Sequence, residues 1–187
     1  TLLGLIRNKI SDEGALWLVE RIVRSFETKP GKALPLGNVT SQLFANIYLN
    51  ELDKFIKHKL KAKFYIRYCD DFIILDASKK YLESIVPRIN EFLAKTLKLS
   101  LHESKIVIRK HAQGIDFLGY VVLPHHRVLR TKTKRRMLKK LAHRKKELDE
   151  MLLSEESFEQ SLQSYFGILK HCKGLRIKKK ILDIISK

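Results

Sequence analysis

Two aspartates, Asp70 and Asp71, stand side by side between two short apolar runs. Residues 64–68 and 72–75 alternate or run apolar, which predicts a strand, a tight turn and a second strand. A buried hairpin with both carboxylates at its tip is costly unless a cation neutralises them. Carboxylate oxygens suit Mg²⁺, and a pair of such ions can promote phosphoryl transfer. The alternative is a solvated hairpin turn, a common place for aspartate.

The chain is strongly basic, with a formal net charge of +18 over 187 residues and an isoelectric point near 10.0. Such a charge attracts polyanions, usually nucleic acid, and is not typical of an enzyme that acts on small anions. Residues 127–146 contain eleven Lys or Arg and no acidic residue. This stretch favours phosphate binding over the alternative of a solvated helix face.

The two cysteines, Cys69 and Cys172, lie far apart and suggest neither a disulfide framework nor a zinc site. They fit a reducing compartment, and no apolar run is long enough to cross a membrane, so we expect a cytoplasmic protein. The chain begins with Thr1 inside an apolar pattern. We therefore interpret it as a fragment whose N-terminal part is missing or lies on another chain.

The spacing of apolar residues predicts an α+β fold. Helices are expected over residues 11–26, 39–60 and 78–97, and Pro87 should kink or break the third. Residues 105–108 and 115–123 read as strands, the second of them nearly all apolar and buried. Three further helices, basic on their polar faces, are expected over residues 133–152, 154–171 and 175–186.

Four motifs, in order, resemble the reverse transcriptases of bacterial retroelements. They are residues 34–42 with the helix start at 43–49, the Tyr-Cys-Asp-Asp box at 68–71, residues 99–105, and Phe-Leu-Gly-Tyr at 117–120. The resemblance covers nearly the whole chain. It implies a partial polymerase palm over residues 1–124, a small antiparallel sheet backed by helices, followed by a basic helical thumb over residues 125–187.

Leu36-Gly37 and Ser41-Gln42 resemble the enzymes of diversity-generating retroelements, because group II intron enzymes usually have Gln-Gly and Ser-Pro at these places. Group II intron-like, retron and phage-defence reverse transcriptases remain open alternatives.

By resemblance, Asp70 and Asp71 bind two Mg²⁺ ions that serve the triphosphate and the primer 3′-hydroxyl. The family takes a further aspartate from an upstream strand, and this sequence has no such strand, so we expect the chain alone to be inactive. Tyr68 and Cys69 would flank the primer end and the nucleotide. Cys69 could equally be an ordinary buried thiol.

The other motifs carry implied roles of the same kind. Gly37, Ser41 and Gln42 would contact nucleotide or template, unless they are simply a loop glycine and a helix start. Lys105 would act as a proton donor to pyrophosphate, or is a plain edge-strand lysine. Phe117 and Gly119 would belong to the hairpin that grips the primer, although an aromatic residue in an apolar strand usually packs in a core.

The basic stretch resembles the start of the thumb and would lie along the nucleic-acid backbone. Its members are Arg127, Arg130, Lys132, Lys134, Arg135, Arg136, Lys139 and Lys140. The resemblance implies an RNA template, a DNA or RNA primer and deoxynucleoside triphosphates as partners.

The sequence thus predicts an RNA-directed DNA polymerase. Two alternatives stay open: a non-catalytic nucleic-acid-binding module of reverse-transcriptase type, for example in phage defence, and an assembly role in which the basic surface docks on a protein.

Overall fold

The fold is taken from a computed structural model that describes residues 1–25 and 40–186. The chain divides into two compact units, Thr1–Ile108 and Arg109–Lys187, and each is described by itself. Helices alternate with small antiparallel sheets, so the predicted α+β class is confirmed. No helix in the described ranges is long and apolar enough to cross a membrane.

The first unit contains four α-helices and one hairpin in its described part. These are α1 (Leu2–Arg7), α2 (Glu13–Arg24), α3 (Thr40–Lys54), β1 (Phe64–Tyr68), β2 (Asp71–Leu75) and α4 (Lys79–Phe92). Helix α2 begins where the sequence predicted, because the Asp12 carboxylate accepts a hydrogen bond from the Ala15 amide at 2.6 Å. Ser78 caps α4 in the same way, through the Tyr81 amide at 3.2 Å.

Both long helices of this unit end in a π-helical turn. Helix α3 continues through Phe55–Lys59, and α4 continues through Leu93–Leu97. Helix α4 also runs through Pro87 without a break, so the two shorter helices considered from the sequence do not form. The rings of Phe55 and Phe92, next to these turns, form a parallel stack with centroids 4.2 Å apart.

The core of the first unit lies between the two long helices and the inner face of the hairpin. Ile56 and Leu97 are fully enclosed there, and Tyr65, Phe72 and Ile74 of the hairpin pack against the same cluster. The opposite face of the hairpin is open: Phe64, Ile66 and Tyr68 each expose more than half of their surface. The hairpin therefore forms as predicted, but the expectation that it is buried is wrong.

The expectation of a strand over residues 105–108 is also wrong. The chain forms a single 3₁₀ turn at Glu103–Lys105, and residues 106–108 lie outside the strand ladders. Val107 exposes 59% of its surface, so the apolar run is not held by a sheet.

In the second unit, the segment expected to be one buried strand is a hairpin. Strands β3 (Ile115–Phe117) and β4 (Tyr120–Val122) pair antiparallel, and β4 also pairs with β5 (Arg127–Leu129). The loop takes a positive φ at both of its residues, +51° at Leu118 and +84° at Gly119. Two such residues make a tight hairpin turn, which is easy for glycine and strained for leucine.

Three helices complete the second unit: α5 (Thr131–Asp149), α6 (Glu155–Lys170) and α7 (Leu175–Ile185). They form within a few residues of the predicted ranges. Leu129 of β5 and Tyr120 of β4 pack with them in one core around Leu141 and Ile181. The small sheet thus shares a core with the basic helices, and the compact units divide before it, at residues 108/109, whereas the sequence placed the domain boundary between β4 and β5. The assignment of residues 1–124 to a palm and 125–187 to a thumb stays a prediction.

A partly buried ion pair joins the hairpin to α3. The Arg67 guanidinium donates from Nε to Asp53 Oδ1 at 2.7 Å and from Nη2 to Asp53 Oδ2 at 2.6 Å. Tyr65 adds a third bond, from its hydroxyl to Asp53 Oδ1 at 2.6 Å. The Arg67 side chain is only 10% exposed, so this bidentate pair sits in a poorly screened environment.

These contacts shift the pKa values of Asp53, Tyr65 and Arg67. Burial raises the pKa of Asp53, but the hydrogen bonds from Arg67 and Tyr65 outweigh it and hold the pKa below its ordinary value of 3.8. Burial, together with the bond to Asp53, raises the pKa of the Tyr65 hydroxyl. The hydrogen bond to Asp53 raises the pKa of Arg67. All three groups therefore keep one charge state through the neutral range.

The lowered pKa of Asp53 predicts a pH-dependent loss of stability. Because the folded pKa lies below the unfolded one, the pair stabilises the fold fully above about pH 5 and loses its contribution as the pH falls through about 4 and lower. Asp53→Asn should cost about 2–3 kcal/mol at pH 7, less than the 3–5 typical of a fully buried pair. Urea unfolding of both proteins from pH 7 to 2.5 should show that difference shrinking. A difference that stays constant over this range contradicts the prediction.

The core of the second unit predicts a contrast between two leucines. Leu141 is completely buried and Leu175 is 82% exposed. Leu141→Ala should lower the free energy of unfolding by about 2–5 kcal/mol, because it leaves a cavity. Leu175→Ala should change it by less than about 0.5 kcal/mol. Urea unfolding followed by circular dichroism measures both, and equal effects would show that this core is not the one that holds the unit together.

Candidate functional site

The two aspartates lie at the end of the β1–β2 hairpin, which the sequence placed correctly. Strands β1 and β2 are joined by a two-residue loop, Cys69 and Asp70, and Asp71 pairs with Tyr68 across the ladder. Cys69 has a φ of +53° and Asp70 a negative one, the pattern of a type II′ turn. Glycine usually fills the first position of such a turn, so Cys69 is held in a conformation that costs about 1–3 kcal/mol.

Both carboxylates are available to a ligand. Asp70 and Asp71 are exposed, and neither side chain makes a hydrogen bond or an ion pair within the described residues. Two adjacent carboxylates with no protein cation paired to them there are the hard oxygen donors that Mg²⁺ uses, together with water and substrate phosphates. The residues present therefore fit part of a magnesium site. No cluster of three or more acidic, His or Cys side chains suited to a metal occurs in the described part of the chain, so the donor set is incomplete there.

Arg67 fixes the loop that carries these carboxylates. Besides its pair with Asp53, its Nη1 donates to the Cys69 carbonyl at 2.8 Å and to Asn46 Oδ1 of α3 at 3.2 Å. One guanidinium thus connects the strained turn to two positions on α3. The sequence did not predict this role of Arg67. Strand alternation could have found it, since Arg67 shares the inner face with Tyr65 and a charge on that face needs a partner.

Tyr68 and Cys69, which the sequence also assigned to the site, lie next to Asp70 at the end of the hairpin. The Tyr68 ring is 59% exposed on the open face of the hairpin. Cys69 is an exposed free thiol, which excludes the alternative of an ordinary buried cysteine. Both side chains are accessible beside the carboxylates, as a contact with a primer end or nucleotide requires.

The remaining candidates of the first unit are placed less fully. Ser41 is half-buried and Gln42 exposed in the first turn of α3. Gly37 and the loop motif around it lie outside the described residues. Lys105 is exposed and belongs to the 3₁₀ turn instead of an edge strand.

In the second unit, Phe117 and Gly119 belong to the β3–β4 hairpin. Arg130 anchors that hairpin at the start of α5: its amide donates to the Gly119 carbonyl at 2.9 Å and its Nε donates to Asp116 Oδ1 at 2.7 Å. Arg130, which was expected from the sequence to contact nucleic-acid phosphates, is therefore paired with Asp116 instead. Arg127 is exposed on β5.

The first half of α5 carries six cations that form no ion pair within the described residues. They are Lys132, Lys134, Arg135, Arg136, Lys139 and Lys140. In the second half, by contrast, Lys145 and Lys146 pair with Asp149 and Glu150 one turn later. Lys140, Arg144 and Ser161 line a polar cavity of about 330 Å³ between α5 and α6. The positive field is therefore concentrated in the part of the helix nearest the small sheet.

Comparison with known proteins agrees with this geometry. The family model described as reverse transcriptase (RNA-dependent DNA polymerase) matches residues 14–122, a segment that includes the whole β1–β2 hairpin. The chain is 29% identical to the group II intron-encoded protein LtrA of Lactococcus lactis, over 64% of this chain and 31% of that protein. It is 25% identical to protein YkfC of Escherichia coli, over 71% of this chain and 43% of YkfC.

A third relative, a putative COX1/OXI3 intron 2 protein of Saccharomyces cerevisiae, is 22% identical over 65% of this chain and 21% of its own length. The chain thus spans less than half the length of these curated relatives. Since the family model covers more than half of the chain and includes the turn with both carboxylates, this chain belongs to the reverse transcriptase (RNA-dependent DNA polymerase) family, and its relatives place it with the retroelement-type members.

Proposed function

We propose that this chain supplies part of the active site of an RNA-directed DNA polymerase, which adds deoxynucleotides to a primer 3′-end. The observation that carries the proposal is the pair of exposed carboxylates, Asp70 and Asp71, on a turn fixed by Arg67 inside the family segment. Nothing in the described surroundings neutralises them, so they are ready to bind a cation that arrives with substrate.

Asp70 and Asp71 would hold Mg²⁺, which would activate the primer hydroxyl and stabilise the charge on the leaving pyrophosphate. The chain's own residues do the rest. The II′ turn keeps both carboxylates at one end of the hairpin, and the exposed Tyr68 and Cys69 lie where a primer end or nucleotide could stack and pack. Lys105, Gly37, Ser41 and Gln42 are proposed to contact the nucleotide, its phosphates or the template.

We infer that the chain needs a further carboxylate from an upstream segment. Two-metal chemistry needs ligands for both ions, and the described residues contain no group of three or more Asp, Glu, His or Cys side chains arranged to hold a metal. Activity is therefore expected in a polypeptide that also supplies an upstream palm strand and not in these 187 residues alone.

Template and primer would bind along the first half of α5. Its cations lie near the helix N-terminus, where the helix dipole is already positive, and the first turn contains no acid. This arrangement lowers the stability of α5 in the free protein, because the cations repel one another and the positive helix N-terminus. A row of phosphates would relieve this repulsion. The hairpin at Phe117 and Gly119 is proposed to contact the primer.

Two finer points belong to the same proposal. The Leu36-Gly37 and Ser41-Gln42 pattern favours a diversity-generating retroelement, although the relatives of the chain include group II intron proteins. The free thiols of Cys69 and Cys172 support an intracellular protein.

A second candidate function is a non-catalytic nucleic-acid-binding module. The observation that favours it is the contrast between a strong basic surface and the incomplete donor set of the described residues. The two functions differ in whether the carboxylates are needed for more than binding.

Asp70→Asn provides the decisive prediction for catalysis. In a polypeptide that includes the upstream palm segment, we expect Mg²⁺-dependent extension of a DNA primer on an RNA template, and its loss by at least about a thousandfold in the variant, since the substitution removes a metal ligand. Asp183→Asn, at an exposed carboxylate on α7, is the matched control and should keep full activity. Extension that survives Asp70→Asn contradicts the metal-site assignment, and no extension by the unchanged protein favours the binding module.

The cations in the first half of α5 predict a measurable salt dependence. Binding of the chain to an RNA–DNA hybrid should weaken linearly on a log–log plot against salt. The double variant Arg136→Ala and Lys139→Ala should make that slope shallower by roughly two, about one for each phosphate that is no longer neutralised. Lys80→Ala, at an exposed position on α4, is the control and should leave the slope unchanged. Equal slopes for all three proteins speak against α5 as the nucleic-acid surface and for protein docking instead.

A further inference from the structure

The Asp70–Asp71 turn has a strained backbone that something must hold. Cys69 takes a φ of +53° without being glycine, and the turn lies at the exposed end of a two-stranded hairpin. Strain of this kind persists where surrounding contacts fix the conformation. In the described residues, the side chain that reaches the backbone of this turn is Arg67, through the Cys69 carbonyl at 2.8 Å.

The guanidinium is itself fixed in position and plane. Asp53 engages Nε and Nη2 together, at 2.7 and 2.6 Å, and Asn46 accepts from Nη1 at 3.2 Å. A bidentate pair sets the orientation of the planar group, so the direction of the remaining Nη1–H bond is set as well. The Cys69 carbonyl is thereby held in a fixed position relative to α3. This helix is itself anchored in the core by Leu52.

The same pair controls charge next to the carboxylates. A free arginine three residues before Asp70 would be a ready partner for Asp70 or Asp71 and would compete with a metal ion. Asp53 prevents this, because its carboxylate neutralises the charge of Arg67 and accepts hydrogen bonds from two of its nitrogen atoms. The turn is held by a neutral pair, and the negative charge of both aspartates stays available.

We propose that Arg67, oriented by Asp53 and Asn46, is a positioning residue that sets the geometry of the Asp70–Asp71 turn for metal binding. The inference rests on the proposed polymerase function, since it concerns the same carboxylates. Lysine cannot replace arginine in this role: a single ammonium group cannot make the bidentate contact to Asp53 and reach the Cys69 carbonyl in a fixed plane.

The alternative is that the ion pair only stabilises the first unit. A matched variant separates the two. Tyr81→Phe removes a partly buried hydrogen bond in the same unit, from the Tyr81 hydroxyl to the Leu60 carbonyl at 2.8 Å, and neither of these residues belongs to the turn. It should lower stability without a selective effect at residues 68–71.

The first measurement is amide hydrogen exchange in the 187-residue chain. Arg67→Lys should speed exchange about tenfold or more at residues 68–71, while the core helices α3 and α4 change little. Asn46→Ala, at an exposed position, keeps the Asp53 pair and should give a smaller change of the same sign, roughly two- to fivefold. This milder variant carries the test if Arg67→Lys does not fold.

The second measurement uses Mn²⁺ as a paramagnetic probe for the carboxylates, followed by broadening of the amide signals at residues 69–71. Arg67→Lys and Asp53→Asn should each raise the Mn²⁺ concentration for half-maximal broadening by about tenfold or more, the size expected when a metal ligand is no longer oriented by its neighbour. Tyr81→Phe should leave it unchanged. Asp70→Asn should abolish the effect, which tests the proposed metal site separately.

Each result decides the question. Selective loosening of the turn together with weaker Mn²⁺ binding supports the positioning role. Unchanged exchange at residues 68–71, an unchanged Mn²⁺ midpoint, or the same response in Tyr81→Phe overturns it. If Asp70→Asn still shows full broadening, the metal-site assignment fails, and the exchange data still report whether Arg67 holds the turn.

Discussion

Two adjacent carboxylates that are to bind a metal must be held in place without being neutralised beforehand. At a separation of a few ångströms the repulsion between two charges is about 1 kcal/mol in water and several times that near a protein interior. The chain keeps Asp70 and Asp71 exposed, where solvent screens them, and anchors their turn from the opposite side through the Cys69 carbonyl. Because the anchor is a cation, a third carboxylate, Asp53, accompanies it and balances its charge.

The rest of the first unit follows from this arrangement. The hairpin needs one face that packs and one that stays open. Phe72 and Ile74 join the helical core, whereas Phe64 and Ile66 remain more than half exposed. The inner face also accommodates the Arg67–Asp53 pair at the edge of that core, where burial strengthens the pair and neighbouring polar side chains complete its hydrogen bonds. Packing and charge placement thus act on the same face of the hairpin.

The features that could be predicted from the sequence are local ones. The helix caps, the hairpin and the last three helices depend on periodicity and capping, and the doubled acid at Asp70 and Asp71 is visible between its apolar strands. The failures involve contacts between distant segments. Residues 105–108 have a strand's composition but no partner strand in the described part. Arg67 and Asp53 could not be paired beforehand, since they are fourteen positions apart and their contact depends on how the hairpin lies against α3.

The placement of charge in α5 lowers local stability, as the strained backbone at Cys69 does. Its first turn contains cations and no acid, although the helix dipole favours the opposite arrangement, and each unfavourable charge costs about 0.3–1 kcal/mol. The last turns of the same helix are ordinary, with Lys145 and Lys146 paired to acids one turn away. A sequence that balances one end of a helix and leaves the other end positive is consistent with an anionic partner at that end. In the proposed function, the hairpin with its available carboxylates and the helix with its available cations would each be complementary to one component of the polymerase's substrate complex.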